Sequence, residues 1–577
     1  MLELLKSLKP YKWAIAATLT LIALQSLAQL YLPNLMSNIV DIGIMNNDIA
    51  YILKMGGFML MVGGLAAACG IIAGYFSSRT SAHFAMRLRS RMFSRIESFA
   101  LHEFDTVGTS SLITRTTNDV TQVQQLVNMM LRIMVRAPMM CIGGVIMAVA
   151  KDPKLSLVVL VAMPFLTGTI ILISRKTMPL FRAIQQKIDK LNQVIREQLA
   201  GVRVVRAFNR NSYEERRFDA ANRDLTSTAV RVQRIMAVMG PSTSLMMNGT
   251  IVAIIWAGGW RIESGGIQIG DLMAFIQYVT HIMFSLSHAS MLFTMLPRAA
   301  VSADRINQVL RLEPSIRDAT TTSMPQQHQR GYLEFRNVTF SYPGAEKPAL
   351  ENVSFRTGPG EVTAILGGTG SGKSTLVNLI PRFYDVDSGS ILVDGVDIRN
   401  MRQEDLRARI GLVPQKALLF TGTIADNIRY GKEDATDEEM IQAAQTAQIA
   451  DFIESLKEGY QTMVSQGGVN FSGGQKQRLA IARALVRKPE IYIFDDSFSA
   501  LDLKTDARLR AALRKETKDS TVIVVAQRIG TVIDADRIIV LDAGKVAGIG
   551  THRELLATCQ VYREIAASQL SEEELAS

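Results

Sequence analysis

Residues 367–375 read Gly367-Gly368-Thr369-Gly370-Ser371-Gly372-Lys373-Ser374-Thr375, and no other stretch restricts the fold as tightly. The apolar run 362–366 before it reads as a buried strand, and residues 376–380 after it read as the first turns of a helix. Strand, glycine turn and helix form the context of a phosphate-binding loop. Glycines let the backbone turn tightly and aim successive N–H groups at phosphate oxygens. The helix N-terminus adds partial positive charge. Lys373 can reach the β- and γ-phosphates, and the Ser374 hydroxyl can ligate Mg²⁺. A ligand-free glycine turn is the plainer reading; the complete pattern in its full context argues against it.

A chain of 577 residues is too long for one domain and sufficient for two or three. Its hydrophobic content of 48% is concentrated in the first half. The net charge of +10 admits nucleic-acid binding or basic cytoplasmic loops of a membrane protein, and the placement of the charges fits the second. Cys69, Cys141 and Cys559 lie far apart without metal-ligand spacing, so they read as buried thiols.

Residues 1–12 carry Lys6, Lys9 and Lys12 among leucines and read as a short amphipathic helix at the cytoplasmic interface. Residues 13–32 are apolar, uncharged and long enough to span a bilayer. A cleaved signal peptide is the competing reading, disfavoured by the length of the run and the further spans. Residues 33–54, with Asp41 and Asp48 against one lysine, are expected outside. Further spans are expected near 55–76, 127–150, 155–174, 235–260 and 272–296. Three short outer loops then alternate with two long intracellular excursions, which hold the arginine excess, and both ends lie inside. Arg132, Arg136, Gln277 and His281 fall in or near the spans, where an ionisable group is either functional or lines a wet vestibule. Most of the 28 methionines read as core packing. The expected domains are 1–311 in the membrane, a Thr/Ser/Gln/Pro-rich linker 312–330, and a soluble α/β domain 331–577 whose acidic tail 571–577 frays.

Downstream, Ile491-Tyr492-Ile493-Phe494-Asp495 is an apolar strand ending in a carboxylate, as Mg²⁺ coordination beside the loop requires. Asn470-Phe471-Ser472-Gly473-Gly474-Gln475 places a hydroxyl and glycine N–H groups before a helix, a second anion-binding arrangement. With these motifs in this order, the chain resembles the ATP-binding cassette (ABC) transporters over essentially its whole length. The three stretches match the family's Walker A, signature and Walker B elements. The resemblance implies that Gly367, Gly370, Gly372, Lys373, Ser374 and Thr375 hold ATP. It also implies that Tyr342 stacks on adenine, that Gln415 touches Mg²⁺ and the attacking water, and that Ser499-Ala500-Leu501-Asp502 forms the D-loop. Ser374, Gln415 and Asp495 become the Mg²⁺ ligands, and Ser472, Gly473, Gly474 and Gln475 contact the nucleotide held by a second half. The implied architecture is a six-helix α-helical membrane domain fused to an α/β P-loop cassette, a half-transporter of the multidrug exporter type. Segments 101–110 and 201–211 would contain the coupling helices that touch the cassettes.

Two positions depart from the family pattern. Asp496 stands where the family has Glu after the Walker B aspartate, and Gln527 replaces the switch histidine. Asp is one methylene shorter, and a displacement of about 1 Å can cost roughly 10²-fold in rate. Gln can neither carry the charge of an imidazole nor exchange protons near neutral pH. A plain Asp-for-Glu substitution of modest effect is the alternative for Asp496. Gln466 also replaces an acidic residue common before the signature. With the signature intact, the expectation is a degenerate-site half of a bacterial heterodimeric exporter in the plasma membrane. Asp496, Gln527 and Gln415 are the candidate catalytic residues of its own site. Its partners would be a second ABC half-transporter, membrane lipids and an amphipathic or lipid substrate, with no nucleic acid. A homodimeric exporter with slow ATPase and a nucleotide-gated channel or regulatory subunit are the alternatives. The six spans exclude a soluble DNA-repair or translation cassette.

Overall fold

The computed structural model describes residues 2–318 and 330–570, apart from the side chains of residues 2, 289–294 and 503. Residues 319–329 of the expected linker and the expected frayed tail 571–577 lie outside the described residues. The chain divides into two compact units: Met1–Glu97 with Ser110–Leu312, and Ser98–Thr109 with Glu313–Ser577.

The first unit is helical. Among the described residues six helices are long and apolar enough to cross a membrane: Lys9–Ile44, Ile49–Glu97, Thr109–Lys151, Ser156–Ala200, Asn211–Glu263 and Ile269–His288. Side chains such as Leu60, Leu160 and Trp256 point outward from them, an apolar surface for lipid or another chain to cover. The helix Ser156–Ala200 has 45 residues, and at about 1.5 Å per residue it outruns a hydrocarbon core of about 30 Å. The expected long excursions are therefore continuations of spanning helices. A short helix, Val202–Ala207, closes one of them before the chain returns along Asn211–Ala237.

Two boundaries differ from expectation. The outer segment 33–54 is not a loop: helix continues through Lys12–Asn38 into residues 39–44, leaving a turn of a few residues before Ile49. Pro33 sits buried inside that helix; transmembrane helices tolerate proline where neighbouring groups satisfy the freed carbonyl. The N-terminal segment forms two short pieces, Leu2–Lys6 and Lys9–Tyr11, because Pro10 lacks the N–H a continuing helix needs. At the outer helix ends Ser37 Oγ donates to Asp271 Oδ1 at 2.8 Å, Lys151 Nζ pairs with the same oxygen at 2.6 Å, and Gly270 N donates to Asp41 Oδ1 at 2.6 Å.

The second unit is built on a six-stranded sheet, ordered in space Lys545–Gly550, Arg537–Asp542, Val362–Gly367, Thr521–Ala526, Ile491–Asp495 and Ile410–Val413. All pairings are parallel except that between the first two strands. Its strands alternate with period two between two cores. Ala364, Leu366, Phe494 and Val524 face a layer containing the helix Gly473–Val486. Ile365, Ile493, Ile523 and Val525 face the helix Lys373–Leu379 and a four-stranded antiparallel sheet. Leu101–Val107 belongs to this unit: Asp105 Oδ2 accepts from the Tyr384 hydroxyl at 3.2 Å, and Glu103 Oε1 accepts from Ser315 N at 3.2 Å.

Candidate functional site

Strand register assembles the site. Leu366 pairs with Ala526 and Val525 with Asp495, so Gly367, Asp495, Asp496 and Gln527 all leave the sheet at one edge. That edge is the carboxyl end of the parallel strands, where open α/β sheets bind ligands. The turn from strand to helix needs glycine at two places. A Cβ at Gly367 would lie 2.3 Å from the Leu541 carbonyl oxygen, and Gly372 has φ +98° with the Ala349 carbonyl 2.7 Å from where its Cβ would sit. Side chains at Gly368 and Gly370 would instead begin in open space, with no protein atom within 4 Å of the Cβ. The helix after the loop begins at Lys373, inside the motif, three residues earlier than expected.

Lys373 is buried, and its Nζ donates to the Gly367 and Gly368 carbonyls at 2.8 and 2.6 Å. Burial pulls its ammonium below the usual lysine range, opposed by Asp496 and Asp495. Ser374 Oγ lies 3.4 Å from Asp495 Oδ1. Burial pushes the Asp495 carboxyl up; the Ser374 contact and Lys373 oppose this, while Asp496 adds to it. Ser371 Oγ is buried without a hydrogen-bond partner among the described residues. An orphaned hydroxyl, a buried ammonium and a carboxylate pushed toward its neutral form fit a site completed by an anion and a divalent cation. Thr375 Oγ1 lies 3.1 Å from the Tyr342 hydroxyl, and the Tyr342 ring packs edge-on against Phe340 and Tyr384.

Asp496 is bridged. Gln415 Nε2 donates to its Oδ2 at 3.3 Å and Gln527 Nε2 donates to the same oxygen at 3.2 Å. Its backbone takes φ +47°, uncommon outside glycine, and its N–H is held by the Val525 carbonyl at 3.0 Å. Sequence reasoning missed Gln569, whose amide brackets the Gln527 loop from the turn after the helix Gln560–Ala567. Its Nε2 donates to Gln527 O at 2.9 Å, and its Oε1 accepts from Ile529 N at 2.8 Å. No local signal links positions so far apart in the chain.

Ser472–Gln475 makes none of these contacts. Ser472 caps the helix Gly473–Val486: Gln475 N donates to Ser472 Oγ at 3.3 Å and Ser472 N donates to Gln475 Oε1 at 2.8 Å. A Cβ on Gly473 would meet nothing within 4 Å, so this corner of the cassette is open. Of the four polar residues expected in the spans, Arg136 and His281 line one cavity, Arg132 and Arg136 line another, and Gln277 lines neither.

A six-helix membrane unit joined to a phosphate-loop cassette with its own signature segment defines a class of ATP-driven membrane machine. Residues 15–286 match the ABC transporter transmembrane region family, and residues 350–499 match the ABC transporter family. The chain is 46% identical over 565 residues to an uncharacterized ABC transporter ATP-binding protein of Mycobacterium tuberculosis, covering 97% of each. It is 32% identical to the ATP-dependent lipid A-core flippase of Chromobacterium violaceum, covering 95% of this chain and 94% of that one. A solved bacterial Atm1-family ABC exporter with ATP bound superposes with a TM-score of 0.80 at 26% identity, over 97% of this chain and 99% of that one. The chain belongs to the ABC transporters. It is an ATP-hydrolysing exporter subunit and a multi-pass membrane protein with its nucleotide-binding domain in the cytoplasm.

Proposed function

We propose that this chain is one half of a heterodimeric exporter of amphipathic compounds, lipids among them, and that its own nucleotide site is degenerate. Walker A residues 367–375 bind the phosphates of ATP, with Lys373 on the β- and γ-phosphates and Tyr342 against the base. Ser374, Asp495 and Gln415 hold Mg²⁺, which supplies charge neutralisation at the phosphates. Ser472, Gly473, Gly474 and Gln475 complete the nucleotide site of the other half. A relative named as a lipid A-core flippase supports an amphipathic lipid as substrate.

One observation carries the asymmetry: the Asp496 carboxylate, a methylene short of the family's glutamate, accepts from two neutral amides, Gln415 and Gln527. Neither amide can relay a proton, and the shortened carboxylate is drawn back from where water must be held in line. The site then retains nucleotide more readily than it hydrolyses it. Affinity purification of the tagged chain from its native membrane in mild detergent tests the pairing by intact mass. A second, distinct six-span cassette chain in equal amount is expected, and a particle of two identical chains would overturn the reading.

A further inference from the structure

A cavity of about 820 Å³ in the membrane unit has one wall that is polar and cationic. The helix Val120–Lys151 presents Gln125, Asn128, Arg132 and Arg136 to it, spaced three or four residues apart and therefore on one face. Gln25 faces them from another helix. No aspartate or glutamate lines the cavity among the described residues, and neither guanidinium is in a salt bridge there. Among the described residues Arg136 donates to the neutral Gln29, at 3.5 Å. Gly74 makes room opposite: a Cβ there would lie 3.5 Å from Arg132 Nη2. Ser77 Oγ donates to Asn128 Oδ1 at 2.7 Å, which occupies the acceptor end of that carboxamide and leaves its N–H groups as the free donors. A volume of this size lies within the range of roughly 300–1,000 Å³ typical of ligand pockets.

Depth adds a second constraint. About 28 Å and about 22 Å of helix rise separate Arg132 and Arg136 from the outer end at Lys151. In a hydrocarbon core of about 30 Å both therefore stand in its cytoplasmic half, Arg132 close to the inner boundary. An arginine that merely snorkels to the surface needs no amide neighbours, no facing glycine and no cavity. Beside the guanidiniums, Ile22, Ile71, Ile133 and Met129 give the same cavity apolar wall. Two unpaired cations one turn apart repel each other until an anion lies between them.

We propose that this cavity binds an amphiphile bearing an oxyanion headgroup, a phosphate or a carboxylate. Arg132 and Arg136 grip the headgroup, Asn128 donates to it, and the tail lies along the isoleucine wall. The proposal rests on the reading of the chain as an exporter of amphipathic compounds and adds the charge class of what is exported. Arg132 and Arg136 become specificity determinants, because a cationic or neutral amphiphile leaves them unpaired.

The test is equilibrium binding, without nucleotide, to the full-length protein purified from its membrane and placed in zwitterionic lipid nanodiscs, with empty discs as reference. The probes share one tail: dodecyl phosphate, laurate, dodecanol and dodecyltrimethylammonium, with inorganic phosphate alone as a fifth. Dodecyl phosphate or laurate is expected to bind at least tenfold more tightly than dodecanol or the cation. Whichever of the two anions binds more tightly identifies the headgroup, and either result supports the site. The Arg132→Gln/Arg136→Gln protein should lose at least tenfold in affinity for the anionic probes, while Arg132→Lys/Arg136→Lys keeps the anion preference. Equal binding of dodecanol, or undiminished binding of the anionic probes by the glutamine variant, overturns the proposal. Inorganic phosphate binding as tightly as dodecyl phosphate overturns the role of the tail. Because no ATP is present, a failed exporter reading shows instead as absent ATP-driven flux in vesicles, with the binding result standing apart.

Discussion

On one side of the cassette's sheet edge, the phosphate loop is held by backbone. Carbonyls grip Lys373, glycines set the turn, and little depends on the reach of any other side chain. On the other side everything depends on side-chain reach: Asp496, Gln415 and Gln527 meet through carboxylate and amide tips at 3.2–3.3 Å. Binding built from backbone survives sequence drift that chemistry built from side-chain length does not. A half-site can in this way keep its nucleotide while losing the power to hydrolyse it, and the intact Ser472–Gln475 segment can go on serving another site.

The strongest attack on this contrast is at Gly473. A Cβ there meets no atom of this chain within 4 Å, so Gly473→Leu starts its side chain in open space. If the segment completes the partner's site, the variant should lower ATPase turnover of the assembled pair by roughly 10²- to 10³-fold, the scale of a lost transition-state contact. Ser472→Ala is the noisier version, since it also removes a helix cap worth about 1 kcal/mol. Full turnover in Gly473→Leu would detach the signature from any hydrolytic site.

Next in size is Lys373→Ala. Removing a charged donor from the phosphates should weaken labelled-nucleotide binding to this cassette by about 1.5–3 kcal/mol, roughly 10- to 100-fold. Unchanged labelling would mean that the loop is not where the nucleotide sits.

The contrast can also be sharpened by reversal. In a pair whose partner glutamate has been neutralised, Asp496→Glu with Gln527→His should raise the residual ATPase roughly tenfold or more, because the carboxylate regains about 1 Å of reach. No gain would place the defect elsewhere, for example in the loop that Gln569 brackets.

Much of this was legible in the sequence because strand–glycine–helix patterns and uncharged runs are local. The α/β class of the cassette, the order of Lys373, Asp495 and Asp496, and the six spans all follow from residues adjacent in the chain. The bridging of Asp496 by Gln415 and Gln527 was not legible, since it arises from strand register between separate segments. The docking of Asp105 on Tyr384 was hidden for the same reason. The connection between the first two spans is shorter than the expected outer segment 33–54, because Pro33 is accommodated within a packed helix and the helical backbone runs on through residue 44. For the cavity, Gln125, Asn128, Arg132 and Arg136 carry helical spacing that could have marked one polar face. Only the fold brings Gln25 and Gly74 opposite them.

The smallest expected effect is the most discriminating. Asp496→Asn removes a carboxylate that two amides already engage and that, if the site is degenerate as proposed, is too short to position water. The replacement keeps an oxygen able to accept from Gln415 or Gln527, so local packing should persist. Turnover of the purified pair should therefore change by less than about twofold, well under the ~1.4 kcal/mol that a factor of ten represents. Neutralising the partner's glutamate should instead nearly stop it, a loss of about 3–4 kcal/mol or more in transition-state stabilisation. Nucleotide kept at the Asp496 site would hold the two cassettes in partial contact through the partner's cycle, and that contact is what would couple the slow site to the fast one. Both single variants must be assayed in one preparation, because equal losses would mean two working sites and would dissolve the asymmetry between the two sides of this edge.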